Sequence, residues 1–404
     1  MEAEIEFIPE GTVTSAKGFQ AGAVFAGINK TAKYNLDLGI LFSRTPSKTV
    51  GLFTANKIKA APVALSQERL PSKPVKAVVV NSGCANASTG AQGLADAASM
   101  AALAAERLGV SPESVLVAST GVIGQRLSMD LIEAGIKQII LSNNGGHSLA
   151  KAMMTTDIVT KEVAVRVKAG AEFVVGGVAK GSGMIHPKLG TLLCFLTTDA
   201  AVDTDFLGMA LRNAVDISFN MVSIDGDTSP NDTVLIMANG LSGYTLIKQR
   251  TKAAVAFQQA LNQVCIYLAK AIARDGEGAS KLIEVVVNGA LSLASAKLAA
   301  RTVVSSSLVK AAVHGSDPNW GRIIAALGRS GANVVESKID ISIGGIRFVK
   351  NGIALPLDKK KVVEALKGSE TSIGINLNLG RATATAWGCD LSSEYVTINS
   401  AYTT

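Results

Sequence analysis

The apolar residues of this 404-residue chain arrive in short runs cut by Gly, Ser or a charged side chain, and that spacing sets the limits on its fold. A membrane-crossing helix needs about 20 unbroken apolar residues, and no stretch supplies them. The longest candidates, such as Leu94 to Ala105, carry Asp96 and many small residues and read as buried helices. With 48% hydrophobic and 18% charged residues, the chain can bury more than one core, and its length suggests two or three structural units.

The first half alternates two periods. Ala77 to Val80 and Ser114 to Ala118 read as short buried strands, with a small-residue helix from Gly90 to Leu108, closed by Gly109, between them. Helical periodicity returns from Met129 to Leu141 and stops at Asn143-Asn144-Gly145-Gly146. Glu162 to Val167 and Glu172 to Val178 read as strands, then a Gly/Ser/Pro-rich loop runs from Gly181 to Gly190, and Leu192 to Thr197 suits a buried strand. The second half predicts helices at Thr204 to Ser218, Lys252 to Ala273, Leu291 to Ala300 and Lys359 to Lys367, the second of these apolar on more than one face. Strands are expected at Thr233 to Met237, Leu282 to Val287, Val334 to Ile343 and Ile373 to Leu377. This is a mixed α and β chain (α/β in the broad sense, α+β in detail) without the regular βαβ period of a doubly wound fold. Layered sheets covered by helices fit it best, and no tandem repeat or low-complexity linker is present.

Charge and rare residues exclude several classes. The formal charge of +7 is spread along the chain, with only Lys359 to Lys361 making a run of three, and aromatic residues are 4%. A solvated face explains that better than a nucleic-acid surface, which needs a clustered basic patch and stacking rings. Four cysteines (Cys84, Cys194, Cys265, Cys389) and three histidines (His147, His186, His314) have neither disulfide-framework nor zinc spacing, so no metal is expected. Met1 to Glu10 carries four glutamates, unlike a secretory signal or a transit peptide, and a cytoplasmic location is expected.

The most informative stretch is Ala179-Lys180-Gly181-Ser182-Gly183-Met184-Ile185-His186-Pro187-Lys188-Leu189-Gly190-Thr191-Leu192-Leu193-Cys194. A glycine-rich segment ends at Gly190, and a threonine opens an apolar strand directly behind it. Gly190 has no Cβ to crowd its carbonyl, so the Thr191 hydroxyl could attack that carbonyl and convert the amide to an ester that water cleaves. Thr191 would then carry a free α-amine, with an unperturbed pKa of about 7.7–8.0, beside its own hydroxyl. Nucleophile and base would share one residue, which suits a chain poor in histidine. The same spacing also describes a plain Gly-rich turn before a strand, with Thr191 only a β-former.

Eight blocks decide between these readings. They are Asn81-Ser82-Gly83 with Ala85-Asn86-Ala87, Ser119-Thr120-Gly121-Val122-Ile123-Gly124, Met154-Thr155-Thr156-Asp157, the Lys180 loop, Ser218-Phe219-Asn220 leading to Asp225-Gly226-Asp227-Thr228, Arg274 to Ala279, Asp317-Pro318-Asn319-Trp320-Gly321-Arg322, and Tyr395 to Asn399. In this order, over nearly the whole chain, they resemble the ornithine acetyltransferase family, also called glutamate N-acetyltransferase. The resemblance implies a precursor that cuts itself between Gly190 and Thr191 into an α chain, 1–190, and a β chain, 191–404, which stay together in a layered αββα sandwich similar to Ntn hydrolases. It implies acetyl transfer from N2-acetylornithine to glutamate with no metal or bound cofactor, acetyl-CoA serving some members as a donor, and an α2β2 heterotetramer of two αβ units.

Residue roles follow from the same resemblance. Thr191 is the nucleophile, and the Thr120 side chain with the Gly121 N–H forms the oxyanion hole, although a strand-ending turn would also place a glycine there. Thr155, Lys180, Glu277, Asn399 and Thr404 contact substrate; Glu277, in a Gly-Glu-Gly turn, would receive the ammonium group of ornithine instead of capping a turn. The tail Asn399-Ser400-Ala401-Tyr402-Thr403-Thr404 departs from relatives that carry Asp-Tyr-Arg-Thr, and Gly190 stands where many have Ala. Two other functions fit fewer of these residues: an N-terminal-Thr aminopeptidase or amidase that passes its acyl group to water, and an uncut, noncatalytic binding relative.

Overall fold

The computed structural model describes residues 4–30, 34, 36–70, 74–168, 172–186, 192–356, 363–364 and 366–401. Its strands are β1 (Glu4–Phe7), β2 (Phe19–Val24), β3 (Leu38–Phe53), β4 (Val75–Asn81), β5 (Val115–Ser119), β6 (Lys161–Lys168), β7 (Glu172–Lys180), β8 (Leu193–Thr198), β9 (Val222–Ser223) and β10 (Thr233–Ala238), followed by β11 (Leu282–Ala290), β12 (Asp340–Ile343), β13 (Ile346–Lys350), β14 (Ile353–Ala354), β15 (Glu370–Asn376) and β16 (Ala382–Cys389). The helices used below are α1 (Ala61–Arg69), α2 (Gly90–Leu108), α3 (Met129–Gln138), α4 (Gly146–Met153), α5 (Thr204–Asp216), α6 (Lys252–Arg274) and α7 (Leu293–Val304).

One sheet runs β1-β6-β7-β8-β10-β3-β4-β5, with β2 paired to β3. Strand β3 belongs to two neighbourhoods: its first residues pair with β2 and β4, its last with β10, and the register shifts between Phe42 and Ser47. The sheet doubles over there, and side-chain alternation proves it. Val78 and Val80 of β4 and Leu116 and Ala118 of β5 share one core with Leu193 and Phe195 of β8 and Leu235 and Met237 of β10. The alternate residues Ala77, Val79, Val115 and Val117 face Met100 and Ala101 of α2 and Ile132 and Ile136 of α3. Cys194, Leu196, Val234 and Ile236 face α5 and α6. Because successive strand residues point to opposite faces, the order is helix, sheet, sheet, helix, the αββα sandwich expected above. Each large apolar side chain in these layers contributes roughly 1.5–3 kcal/mol.

Helix α6 is apolar on more than one face for a reason: it also packs on β11 and β16 of a second sheet, ordered β14-β13-β12-β15-β11-β16-β9, which α7 covers. The helices start where side chains can satisfy free N–H groups: Asp203 accepts from Phe206 N and Thr251 from Ala254 N. Three expectations change. Val334 to Ile343 is not one strand, since Glu336–Lys338 closes a 3-10 turn through Ile339 N to Glu336 O and the strand begins at Asp340. The helix from Met129 stops at Gln138, and Gly146, in the run expected to be only a stop, opens α4. Lys359 to Lys367 lies largely outside the described residues.

The segments 1–190 and 191–404 are not separate bodies. Strand β8, from the second, is hydrogen-bonded to β7 of the first, and β10, from the second, to β3 of the first.

Candidate active site

Strand β7 ends on Lys180, which the register pairs with Leu193 at the head of β8. Its stem is buried, and its Nζ donates to the hydroxyls of Thr120 and Thr155, each at 3.0 Å. Three chain segments thus meet at one nitrogen. Burial pushes the lysine pKa below its usual value, against the pull of Asp157. The next residue, Gly181, gives its N–H to Asp157 Oδ1 at 2.7 Å. Asp157 in turn takes Lys161 Nζ at 2.6 Å, and Lys161 reaches Asp275 at 2.6 Å on its other side.

Around Lys180 lies a cavity of about 250 Å³ whose wall includes Thr120, Gly121, Thr155, Thr156, Gly183, Asp225, Glu277, Tyr395 and Asn399. Gly121 has φ +130°, and a Cβ there would sit 2.2 Å from the Gly83 carbonyl carbon, so no other residue fits. At Gly183 a Cβ would meet the Glu277 carboxylate at 2.5 Å, so the glycine is what lets the loop close on that group. Glu277 Oε2 accepts from Asn399 Nδ2 at 2.8 Å, and Asn399 sits on the C-terminal helix Ser393–Ala401. Thr156, the neighbour not chosen from the sequence, pairs with Ser182 at 2.7 Å, whereas Thr155 holds Lys180.

Gly190, Thr191 and Thr404 lie outside the described residues. The residue that follows Thr191 is placed: Leu192 is buried, its N–H donates to Asp232 Oδ1 at 3.0 Å and its carbonyl accepts Thr233 N at 3.0 Å. The chain therefore enters β8 beside the end of β7, whose Lys180 lines the cavity.

Sequence reasoning assigned no role to Asp225, Asp232 or Tyr395. Asp225 accepts the N–H of Ile185 at 2.9 Å and faces the Tyr395 hydroxyl at 3.4 Å; burial pushes the carboxyl above its usual range, and burial with Asp225 nearby raises the phenol. Asp225 and Tyr395 fall inside the quoted blocks, which was the one signal that could have found them. A cavity of about 570 Å³, lined by Asn56, His186, Thr228, Arg301 and Arg329 among others, takes His186 and Thr228 from the quoted blocks but none of the residues assigned a catalytic or substrate-binding role. Among the described residues no group of three or more His, Cys, Asp or Glu side chains is set to hold a metal ion, and no helix is long and apolar enough to cross a membrane.

A doubled sheet between helices, with hydroxyls, a buried lysine and a carboxylate converging on one cavity beside the start of β8, defines the class: a layered αββα enzyme built for acyl transfer. Among known proteins the similarity is specific. The ArgJ family model matches residues 20–404. The chain is 50% identical over 405 residues to the arginine biosynthesis bifunctional protein ArgJ of Dehalococcoides mccartyi, covering 100% of both, and 49% identical over 397 residues to that of Symbiobacterium thermophilum, covering 98% of this chain and 99% of the relative. The crystal structure of arginine biosynthesis bifunctional protein argJ from Bacillus halodurans is 44% identical with a TM-score of 0.51, covering 52% of this chain and 98% of that one. The chain belongs to the ArgJ family.

Proposed function

We propose that the chain is a cytoplasmic acetyltransferase of arginine biosynthesis that cuts itself between Gly190 and Thr191 and then carries acetyl on Thr191 from N2-acetylornithine to glutamate, releasing ornithine and N-acetylglutamate. The observation that carries this reading is Lys180 Nζ bonded to both Thr120 and Thr155 where β8 begins. It joins Thr120 and Thr155 to the end of β7, beside the start of β8. The solved relative, matched over 98% of itself, spans only about half of this chain, as a product of a cut at residue 190 would.

After cleavage the Thr191 amine takes the hydroxyl proton and Oγ attacks the acetyl carbonyl of the donor. Charge develops on the carbonyl oxygen, where the Thr120 hydroxyl and the Gly121 N–H receive it. Ornithine leaves with the proton, and the α-amine of glutamate then attacks the ester and restores Thr191. Lys180 and Thr155 orient the donor, and Glu277, steadied by Asn399, takes the ornithine ammonium. Thr404 would close the pocket from the tail. No step asks for a metal or bound cofactor. The strands interleave, so the two pieces stay one αβ unit, and two units make the α2β2 assembly of the same proposal.

Initial rates test the reading. A covalent acetyl carrier requires parallel lines when N2-acetylornithine and glutamate are both varied. Ornithine release beyond one equivalent per site must also need glutamate, whereas an amidase would go on releasing it into water without an acceptor. Acetyl-CoA, offered in place of N2-acetylornithine, tests the second donor. Intersecting lines would mean direct transfer and would remove Thr191 from its role.

A further inference from the structure

The larger cavity, of about 570 Å³, adjoins the acyl-transfer pocket along two chain segments. Thr228 lines the larger one, and its neighbours Asp227 and Ser229 line the smaller; His186 lines the larger one, and Met184 the smaller. Their charges differ in sign. Asp225, Asp227 and Glu277 outnumber Lys180 around the smaller cavity, whereas no carboxylate lines the larger, whose wall carries Arg301 and Arg329. Helical spacing brings the first of these there. Leu298, Arg301, Thr302 and Ser305 fall at i, i+3, i+4 and i+7, so they share one face of α7 and its C-cap, while Ala296, Ala299, Ala300 and Val303 turn to the core. Arg329 directly follows the helix Trp320–Gly328, which packs against α7.

Most other polar groups on this wall are already engaged. Asn56 gives its side-chain amide to the Thr228 carbonyl at 2.9 Å and accepts the Ile58 N–H at 3.0 Å, and His186 Nδ1 pairs with the Ser223 hydroxyl at 3.2 Å. The hydroxyls of Thr302 and Ser305 donate to the carbonyls of Leu298 and Thr302, at 2.8 and 3.3 Å. Among the described residues the two guanidinium groups have neither an ion pair nor a hydrogen bond; Arg301 is half-buried and Arg329 exposed. A guanidinium is a planar fork of donors matched to carboxylate or phosphate oxygens, and two of them on one concave wall call for a ligand with more than one negative charge. An amino acid is a poor match, because its ammonium group would find no carboxylate here. The volume lies within the roughly 300–1,000 Å³ of small-molecule sites. We propose that this cavity binds the phosphate groups of a phosphorylated metabolite, held between Arg301 and Arg329, at a site separate from the acyl-transfer pocket. A free nucleoside diphosphate and the phosphorylated end of coenzyme A both present that chemistry, and Leu298 offers an apolar surface to the rest of either.

The test titrates the purified protein by calorimetry at low ionic strength, where charge pairing is least screened, with inorganic pyrophosphate, ADP, coenzyme A and succinate in turn. At least one of the three phosphate compounds should bind saturably at one site per chain, and succinate at least about tenfold more weakly. Arg301→Gln and Arg329→Gln should each weaken phosphate binding at least about tenfold, as loss of a charge-assisted hydrogen bond does. Arg301→Lys, which keeps the charge without the fork, should fall between Arg301→Gln and the wild type. All three variants should keep the wild-type melting temperature and transfer acetyl from N2-acetylornithine at the wild-type rate. Coenzyme A binding at least about tenfold tighter than ADP would make the coenzyme the ligand; equal binding would make it the nucleotide. No binding by any phosphate compound, binding unchanged in both glutamine variants, or succinate binding as tightly as the phosphates would overturn the proposal. None of these outcomes bears on self-cleavage or on acetyl transfer, which are read separately.

Discussion

Two lysines lie buried on neighbouring strands, and their surroundings could hardly differ more. Lys161, at the start of β6, is held between two carboxylates, Asp157 and Asp275; Lys180, at the end of β7, is held between two hydroxyls, Thr120 and Thr155. Burial alone would push Lys161 down, but Asp157 and Asp275 outweigh it and hold the ammonium above its usual pKa. Against the upward push of burial, Lys161 and Lys180 keep the Asp157 carboxyl well below the usual range. Lys180 has no such anchor and its pKa falls. Burial does not assign a lysine its task; its partners do. Lys161 ties β6 to the end of α6, while Lys180 keeps unsatisfied electrostatic capacity facing the cavity.

The sharpest way to break this comparison is to replace each lysine by methionine. Lys161→Met leaves Asp157 and Asp275 buried without their cation and should cost about 3–5 kcal/mol of stability, read by chemical denaturation. Lys180→Met should keep or raise stability and abolish acetyl transfer. Equal destabilisation of the two variants would refute the division of labour. Next in size, Thr120→Ala should lower kcat by about 10²–10³, with little change in KM, if that hydroxyl faces the oxyanion; a rise in KM alone would make Thr120 a binding group. Smaller again, Asn399→Ala removes one hydrogen bond to Glu277 and should raise the KM for N2-acetylornithine by about 2–10-fold, with kcat nearly unchanged.

The smallest effect sharpens the contrast through pH. The Lys180 pKa is lower in the folded chain than the unfolded value of about 10.4, so the unfolded state binds more protons between those two values and stability contributed by this site rises with pH there. The Lys161 pKa is raised, so its contribution is complete below about 10.4 and is lost as pH climbs through the folded value. The gap in melting temperature between the wild type and Lys180→Met should therefore narrow as pH approaches about 10. A gap that widened would reverse the sign assigned to Lys180.

Local features were legible in the sequence. The helix Gly90–Leu108 and its end at Gly109, and the strands flanking the Lys180 loop, depend on periodicity and stop residues that a short window contains. Strand β3 was not legible, because Arg44, Pro46 and Lys48 interrupt its apolar pattern and it is held by different neighbours at its two ends. Spacing alone could not join Thr120, Thr155, Lys180, Glu277 and Asn399, which come from five distant segments; the resemblance named them, and the fold brings all five to one cavity. Asp232 escaped notice because an aspartate before a strand reads as a turn residue, and its burial and its hold on the Leu192 N–H arise only in the fold.

In the proposed function Thr191 becomes a chain terminus and then the acetyl carrier. Intact mass analysis of the purified protein, mixed with N2-acetylornithine alone and quenched in acid within one turnover, tests it most directly. Two species are expected, 1–190 unmodified and 191–404 heavier by one acetyl group on its first residue, with the label removed by hydroxylamine as an ester requires. A single full-length chain that nevertheless transfers acetyl, or a 191–404 fragment that never gains the hydroxylamine-sensitive label, would contradict it.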